Sequence, residues 1–454
     1  MGLSERLKTL EALGMAPALV VSSKPANGEK APGLWEALKA RLHEQLVGKL
    51  DLSTIDKLPP AQVTQQLQQI IAELMAEIGD LPLNRGERGL LAAELIDEVT
   101  GLGPLEALLR DPTISDILVN TANKVYIERG GRLERTATRF RDNDHLQQII
   151  NRIVSRVGRR VDDSSPMVDA RLPDGSRVNA VIPPLALDGP LLSIRRFGGR
   201  PLRFADLVAS ASVTPHMVGL LGACVRAKVS ILISGGTGTG KTTLLNALSA
   251  FIPESERVVT IEDAAELQLQ QEHVARMETR PPNVEGRGEI VARDLVRNAL
   301  RMRPDRIIVG EVRGAEVMDM LQAMNTGHEG SMTTIHANTP RDAITRMESM
   351  AGMSGVTLSE ALVRQTISRS LEIIVQLSRG TDGKRRVSSI SEITGMEGNV
   401  ITMQEIFLFQ QTGTAEDGKI LGEFQVTGVR PRVLEKIARC GIDPMTIARQ
   451  FGAE

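Results

Sequence analysis

The chain has 454 residues, of which 41% are apolar and 24% charged, so it is long enough for about three domains with real cores and is not disordered. Aromatic residues make up only 2% and the formal net charge is -2, which argues against an exposed aromatic, basic surface for direct nucleic-acid binding. The two cysteines, Cys224 and Cys440, are far apart and predict neither a zinc site nor a disulfide framework.

No apolar run approaches the ~18 residues that cross a bilayer. The N-terminus, MGLSERLKTLEALGM, is charged and lacks a secretory core. We therefore expect a cytoplasmic protein that contacts a membrane only through partners.

The N-terminal part of the chain changes character twice. Residues 1–33 end in a polar stretch rich in Pro and Gly and indicate a flexible segment and linker. Residues 34–110 carry apolar side chains at helical spacing and predict a helical domain. Residues 111–197 combine short strands, one helical stripe and a hairpin around Asp174-Gly175, which is typical of a small α/β domain.

The C-terminal part predicts one large α/β domain. We expect a hinge linker over residues 198–210 and the domain over residues 211–454. Strands and helices alternate up to about Val375, as a parallel sheet flanked by helices requires. The segments IIVQL, VSSISEI, NVITMQEIFLF and GEFQV then predict an antiparallel extension, and ARCGIDPMTIARQF a final short helix.

The stretch VSILISGGTGTGKTT, residues 229–243, organises this domain. An apolar strand leads into a glycine-rich loop that matches the pattern G-x-x-x-x-G-K-[ST], and helical spacing follows. The glycines let several backbone N–H groups point at one anion, and the helix N-terminus adds positive potential. We predict that the loop binds ATP, with Lys241 on the β- and γ-phosphates and the Thr242 hydroxyl on Mg²⁺. The nucleotide-binding residues are predicted to be Gly235, Gly236, Thr237, Gly238, Thr239, Gly240, Lys241, Thr242 and Thr243.

Two acidic residues end apolar strands downstream of this loop. Glu311 ends RIIVGE, and Glu262, followed by Asp263, ends VVTIE. Because strand C-termini in a parallel sheet face the ligand crevice, we expect both glutamates near the phosphates, where they orient water or hold Mg²⁺. A surface carboxylate that caps the next helix is the plainer alternative.

Two histidines, His328 and His336, lie in TGHEGSMTTIHAN, residues 326–338. A lone histidine is most often structural, and no cysteine or carboxylate cluster completes a metal site here. The segment follows the Glu311 strand and is rich in Gly, Ser and Thr, which suits a sensor of the γ-phosphate.

Five segments of the chain resemble those of a known protein family. The segments GGTGTGKTT, TIEDAAELQL, METRPPNVEGRGEI, RNALRMRPDRIIVGEVRGAE and TGHEGSMTTIHANTPRDAITRMESM are similar to the successive boxes of the secretion-superfamily (type II/IV secretion) traffic ATPases. Within that superfamily they resemble the tight-adherence (Tad/Flp) pilus ATPases of the CpaF type. The resemblance covers roughly residues 100–430 and includes DPTISDILVN, VYIERGG and DARLPDGSRVNAVIPP, which resemble the family's N-terminal domain.

The resemblance implies an architecture and residue roles. It implies a RecA-like P-loop nucleotide domain, preceded by a small α/β (PAS-like) domain, in hexameric rings that hold nucleotide between the domains and next to a neighbouring subunit. Lys241 and Thr242 then hold phosphate and Mg²⁺. Glu262 stands in the acidic box, and Glu311 is the Walker B glutamate and favoured general base. His336 is the histidine-box residue that faces the γ-phosphate.

Arginines are expected to supply the positive charge that phosphoryl transfer needs. An ordinary surface or salt-bridge role explains any single one of them equally well. The candidates are Arg171, Arg177, Arg195 and Arg196 near the hinge, and Arg301 with Arg303 before the Walker B strand.

These observations predict a Mg-dependent ATPase, a homo-hexameric motor that assembles a tight-adherence pilus through an inner-membrane platform protein, with retraction left open. The alternative is an ATPase that energises DNA or protein export in a type IV secretion-like system. A nucleotide-gated scaffold without turnover and a P-loop kinase are weaker. Two cysteines cannot build the tetracysteine zinc insertion of type II secretion members. We expect a cytoplasmic location, at the inner membrane through the machine.

Overall fold

The computed structural model describes residues 33–49, 59–78, 83–197, 201–283, 286–355 and 358–444. The chain divides into two compact units, residues 1–197 and 198–454. Almost all of the predicted N-terminal segment, and the second half of the predicted final helix over residues 438–451, lie outside the described residues. The described half corrects the prediction, because its helix spans Val433–Arg439 and ends before Cys440. None of the described helices combines the length and the apolar composition needed to span a membrane.

The described elements alternate between helical and strand-rich stretches. The helices are α1 Leu34–Lys49, α2 Pro60–Glu77, α3 Arg85–Thr100, α4 Leu105–Arg110, α5 Asn143–Arg156, α6 Phe204–Ala209, α7 Pro215–Arg226, α8 Lys241–Ser249, α9 Ala292–Ala299, α10 Glu316–Asn325, α11 Pro340–Gly352, α12 Glu360–Ser370 and α13 Val433–Arg439. The strands are β1 Ile114–Thr121, β2 Lys124–Arg129, β3 Arg132–Arg135, β4 Met167–Arg171, β5 Arg177–Val181, β6 Leu191–Arg195, β7 Ile231–Gly235, β8 Val258–Glu262, β9 Val274–Glu278, β10 Arg306–Val309, β11 Met332–Ile335, β12 Ile373–Arg379, β13 Arg385–Glu397, β14 Val400–Thr414 and β15 Ile420–Val426.

Helices α1, α2 and α3 pack their apolar stripes on one another at the start of the first unit. Leu42, Leu67 and Leu91 are fully buried in this cluster. The carboxylate of Glu98 on α3 lies 3.0 Å from Nζ of Lys39 and 2.9 Å from Nε2 of His145. This buried contact ties the helices to the strand-rich part of the unit.

The rest of the first unit is a six-stranded antiparallel sheet of order β3-β2-β1-β6-β5-β4. Helix α5 covers one face with Leu146, Ile150 and Ile153, which recur at helical spacing and are buried. The other face of β4, β5 and β6 is more exposed and carries polar and charged residues, since side chains alternate along a strand.

The second unit is built on a nine-stranded sheet of order β15-β14-β13-β12-β7-β11-β10-β8-β9. Strands β12, β7, β11, β10, β8 and β9 are parallel. Their residues feed cores on both faces: Ile231 and Ile233 lie in one cluster and Leu232 in the other. Apolar runs without alternation are what a sheet covered on both faces requires.

Strand β12 corrects one detail of the sequence interpretation. The segment IIVQL was assigned to the antiparallel extension, but Ile373 pairs in parallel register with Ile231 of β7. The same strand pairs in antiparallel register with β13. It is therefore the last parallel strand as well as the first strand of the extension.

Part of the segment predicted as a hinge linker is helical. Helix α6 spans Phe204–Ala209, and Phe204 is buried against Phe251 with ring centroids 5.1 Å apart. Burial of Phe204 and Leu207 in the core of the second unit explains why these residues fold. The predicted fold class is confirmed: a parallel sheet with an antiparallel extension, preceded by a small α/β region and a helical region.

Candidate functional site

The glycine-rich loop after β7 has the geometry its sequence predicts. Gly238 and Gly240 have φ angles of 71° and 98°, which favour glycine, and helix α8 begins directly after Gly240. A side chain at Gly235 would place its Cβ 2.6 Å from Oγ1 of Thr239 and 2.8 Å from the Leu377 carbonyl oxygen, so only glycine fits. We call residues 235–242 the phosphate loop. Its backbone leads into a helix N-terminus, which attracts anions.

Lys241 extends back under this loop. Its Nζ donates to the carbonyl oxygens of Gly235 and Gly236, both at 3.0 Å. The residue is only 8% exposed, and burial lowers the pKa of its ammonium group. Thr237 is exposed on the loop, and Thr242 and Thr243 are half-buried in the first turn of α8.

His336 lies between the phosphate loop and Glu311. Its Nε2 is 3.2 Å from Nζ of Lys241 and 2.9 Å from Oε1 of Glu311. The strand order explains this placement, because β11, which ends just before His336, lies between β7 and β10. Burial lowers the pKa of His336 below its usual 6.5, so the ring is neutral at pH 7.

Arg313 holds Glu311 from the other side. Its Nε and Nη2 donate to Oε2 of Glu311 at 2.9 and 2.6 Å, and its Nη1 lies 3.2 Å from Oδ2 of Asp263. A continuous chain of polar contacts thus runs Lys241, His336, Glu311, Arg313, Asp263. Sequence reasoning missed Arg313, although its position two residues after Glu311 placed it at the same strand end.

Glu262, at the end of β8, makes its hydrogen bonds within the loop that follows it. Its Oε2 accepts from the backbone N–H groups of Glu266 and Leu267 at 2.6 and 2.8 Å. Burial raises the pKa of this carboxyl group. Among the described residues, no hydrogen bond joins it to Lys241, His336 or Glu311. Glu262 thus shapes the acidic loop that follows β8, and it lies beside Gly310, since a Cβ at Gly310 would be 3.0 Å from its Cγ.

The residues fit a hard cation such as Mg²⁺ in one respect. Oε1 of Glu262 is buried and has no hydrogen-bond partner among the described residues, which leaves a carboxylate oxygen for an ordered water. Thr242 offers a hydroxyl in the first turn of α8 and Glu311 a second carboxylate. Oxygen ligands of this kind are those that Mg²⁺ prefers, usually with several waters retained.

Two predicted residues lie at the opposite edge of the same sheet. His328 precedes β11 and its Nδ1 is 3.0 Å from the Pro304 carbonyl oxygen, whereas His336 follows the same strand. A four-residue strand separates its two ends by about 13 Å. Arg301 likewise precedes β10, whereas Glu311 follows it. The structure therefore does not bring His328 or Arg301 to the phosphate loop of the same chain.

Three of the arginines in the first unit form a row. Arg171 pairs in register with Arg177, and Arg177 with Arg195, so all three lie on one face of the sheet at one end of β4, β5 and β6. Asp116 continues the row, with Oδ1 3.1 Å from Nε of Arg195. Arg196 differs, since its guanidinium group donates to the carbonyl oxygen of Asp111 and thereby holds the backbone before β1.

Sequence reasoning also missed two arginines near the phosphate loop, Arg385 and Arg379. Nε of Arg385 donates to the Gly238 carbonyl oxygen at 2.9 Å, and Arg379 lies on the neighbouring strand. The contact depends on the pairing of β12 with both β7 and β13. No local pattern in the sequence indicates it.

Comparison with known proteins finds relatives that are secretion or conjugal transfer proteins. Residues 98–429 match the family described as type II/IV secretion system protein. The chain is 40% identical over 309 residues to a Mycobacterium tuberculosis protein named "Putative conjugal transfer protein", covering 67% of this chain and 87% of that one. It is 32% identical over 331 residues to the type IV secretion system protein VirB11 of Bartonella quintana, covering 64% and 92%. The solved VirB11 ATPase of Brucella suis in complex with sulphate is 27% identical, with a TM-score of 0.34 over 64% of this chain and 95% of that one.

Proposed function

The chain belongs to the type II/IV secretion system protein family, and on that premise we propose that it binds ATP with Mg²⁺ and hydrolyses the terminal phosphate. One observation carries the proposal. Nε2 of His336 is within 3.2 Å of the phosphate-loop lysine, Lys241, and within 2.9 Å of the carboxylate of Glu311. Phosphoryl transfer needs a phosphate-binding cation and a group that orients water close together.

The phosphate loop holds the substrate in this proposal. Its backbone N–H groups and the N-terminus of α8 bind the β- and γ-phosphates, and Lys241 turns from the carbonyl oxygens of Gly235 and Gly236 towards them. Thr242, Glu262 and Glu311 are the residues that would hold Mg²⁺, and the metal, when bound, would neutralise negative charge on the phosphates.

Glu311 is the proposed base, and its contacts suggest how it is kept inactive without substrate. Oε1 is engaged by His336 and Oε2 by two N–H groups of Arg313, so an attacking water must compete with these donors for the carboxylate. A γ-phosphate is a stronger acceptor than a carboxylate that is already paired, and it draws the N–H of neutral His336 away. Oε1 of Glu311 is then open to orient the attacking water.

We assign the arginine row to the same reaction. Arg171, Arg177 and Arg195 concentrate positive charge on one face of the sheet, at one end of β4, β5 and β6. One or more of them reaches the phosphates in the assembled protein and adds transition-state charge. Arg196, Arg301 and His328 are left out of the mechanism, because their described contacts are structural or lie at the other sheet edge.

We propose that the active form is a homo-hexamer that drives a tight-adherence pilus through an inner-membrane platform protein. The support is the box-by-box similarity of the chain to CpaF-type proteins. The second candidate is export of DNA or protein in a type IV secretion-like system. The named relatives, a conjugal transfer protein and VirB11, favour that cargo, and the ATPase chemistry is the same in both.

Phosphate release tests the enzyme assignment. The purified full chain is expected to release phosphate from ATP with Mg²⁺ and to stop when EDTA removes the metal. Lys241→Ala should abolish both nucleotide binding and turnover, whereas Lys419→Ala, an exposed lysine paired with Asp417, should match wild type. An active Lys241→Ala protein, or a wild type that neither binds ATP nor releases phosphate at any oligomeric state, contradicts the proposal.

A deletion in the native host separates the two cargoes. Loss of surface pili, restored by the wild-type chain but not by Glu311→Gln, supports the pilus motor. Intact pili with lost DNA or protein transfer supports the secretion candidate. Stimulation of the purified ATPase by DNA would count for the second candidate as well.

A further inference from the structure

The hairpin between β12 and β13 places two arginines opposite each other. Arg379 ends β12, Arg385 begins β13, and the two are partners in the antiparallel register. Residues paired in this way lie on the same face of the sheet. The pair therefore concentrates two positive charges at one end of the hairpin.

Both side chains border the phosphate loop. Nε of Arg385 donates to the Gly238 carbonyl oxygen at 2.9 Å. A Cβ at Gly238 would lie 3.7 Å from Nη1 of Arg379, and a Cβ at Gly240 would lie 3.7 Å from Cδ of Arg385. The topology dictates this meeting, because β12 runs parallel to β7 and the segments that follow the two strands emerge at the same edge.

The hairpin is held rigid by contacts on its far side. Asp382 accepts from Nη2 and Nη1 of Arg386 at 2.6 and 3.3 Å and from the backbone N–H of Ile420 at 3.3 Å. The Arg386 guanidinium group lies 5.2 Å from the ring centroid of Phe409. A Cβ at Gly380 would lie 2.5 Å from Cδ1 of Ile420 and 2.6 Å from Oδ1 of Asp382, so these side chains pack closely on the turn. The two arginines are therefore preorganised against the loop.

The pair lies on the opposite flank of the loop from the reacting groups. Strand β7 has two neighbours, of which β11 leads to His336 and β12 leads to Arg379. His336 and Glu311 occupy the flank assigned above to the γ-phosphate. The flank that carries the two arginines then faces the α- and β-phosphates, which hydrolysis of the γ-phosphate does not remove.

We propose that Arg379 and Arg385 hold the α- and β-phosphates of the bound nucleotide, so that they set affinity for ATP and ADP alike; this rests on the proposed binding of ATP at the phosphate loop. A guanidinium fork matches phosphate oxygens in geometry and charge. Arg385 keeps its Nε on Gly238 and presents its Nη groups, and Arg379 approaches from the paired strand. The hairpin thereby controls how long the product ADP is retained.

Equilibrium binding of fluorescent ADP and ATP to full-length Arg379→Ala and Arg385→Ala proteins tests this. Each variant should weaken both nucleotides by the same factor, about tenfold, as loss of one charge-assisted hydrogen bond implies. Turnover at saturating ATP should fall by less than about threefold, so that the loss is in KM. Arg385→Lys, which keeps the charge without the fork, should lie between Ala and wild type. Lys384→Ala in the same turn should match wild type.

Three results would overturn the inference: unchanged ADP affinity in both variants, a loss confined to ATP, or a fall in kcat at constant KM. If an alanine variant unfolds by circular dichroism, Arg379→Gln and Arg385→Gln provide the same comparison. A wild type that binds neither nucleotide removes the proposed function as well. If the wild type binds and hydrolyses ATP and the arginine variants have the same nucleotide affinities as the wild type, only this inference is removed.

Discussion

The two edges of the parallel sheet, where its strands begin and where they end, both collect charged residues and histidines, but their contacts differ. At the edge where the strands begin, Arg306 is fully buried and paired with Glu256, whose side chain is only 12% exposed. At the edge where they end, the side chains of His336 and Glu311 keep 31% and 19% of their exposure beside the phosphate loop. Closed, desolvated pairs hold strands in place, whereas half-exposed linked groups beside an anion-binding loop are available to a substrate.

Glu311→Gln should give the largest effect and sharpen this contrast. The amide cannot take a proton from water, so kcat should fall by about 10³-fold while ATP still binds. The thermal midpoint should stay within about 2 °C, since a partly exposed group is replaced by an isostere. Glu360→Gln on an exposed helix surface is the matched control. Turnover near the wild-type rate would exclude Glu311 as the base.

Glu256→Gln tests the opposite edge. It leaves the buried guanidinium group of Arg306 without its counter-charge and should lower the free energy of unfolding by about 3 kcal/mol. Denaturant unfolding measures this, and kcat of the folded variant at low temperature should remain near wild type. If Glu256→Gln unfolded at the same denaturant concentration as wild type but lost turnover, the edge where the strands begin would be functional rather than structural.

Glu98→Gln asks whether a histidine–carboxylate contact alone identifies a reactive site. The Glu98–His145 contact has the same 2.9 Å length as the His336–Glu311 contact. It is buried, however, and Lys39 occupies the other oxygen of Glu98 at 3.0 Å. Burial opposes ionisation of Glu98, yet the hydrogen bond from His145 and the charge of Lys39 outweigh it and lower the pKa from 4.5 to about 2. A depressed carboxyl pKa stabilises the fold above pH 4.5, and this stabilisation is lost as the pH falls towards 2.

The variant should therefore lose on the order of 2 kcal/mol at pH 7, and its deficit should shrink as the pH falls. Trp35, the sole tryptophan, lies on α1 and reports unfolding of this region by fluorescence. Asp97→Asn on the same helix, whose partner Arg110 is exposed, controls for surface charge. A deficit that does not change with pH would mean that Glu98 acts through packing.

The two histidines provide a paired test. His336→Ala should lower kcat/KM about tenfold, because Glu311 loses the contact that couples it to the γ-phosphate. His328→Ala should stay within about twofold, since its partner is a backbone carbonyl at the other edge. If both variants lost kcat/KM by the same factor, a histidine's position at the beginning or the end of the strands would not predict its function.

The smallest expected effect is on the pH profile. Because burial lowers the pKa of His336 below 6.5, its ring stays neutral as the pH falls through that value. The acid limb of kcat/KM should therefore lie below pH 6.5, and His336→Gln should remove the part of the limb due to this group. An acid limb at pH 6.5 or above in the wild type would contradict the lowered pKa.

The sequence was most informative where chemistry is local. The loop from Gly235 to Thr242 is a contiguous pattern, and a carboxylate or histidine directly after an apolar strand could be placed at the right sheet edge by topology alone. Glu311 was placed in this way, whereas the role of His336 came from its polar segment and from the family resemblance. His328 could not be separated from His336, because both flank one short polar strand and only the strand bounds decide which edge each one occupies.

The remaining contacts depend on register across distant segments. Arg385 reaches Gly238 only because β12 joins the parallel strands to the antiparallel extension, and the pairing of residues 142 or more positions apart leaves no local signature. The orientation of Glu262 depends on the turn that follows β8, whose backbone N–H groups compete for its carboxylate. Patterns at helix or strand period do not encode either feature.

The stacking of Phe204 on Phe251 has a mechanical consequence. Phe251 follows the last turn of α8, the helix whose first turn carries Lys241, and Phe204 stands only a few residues beyond the junction with the first unit. The ring contact therefore fixes the helix that carries Lys241, at its C-terminal end, to helix α6.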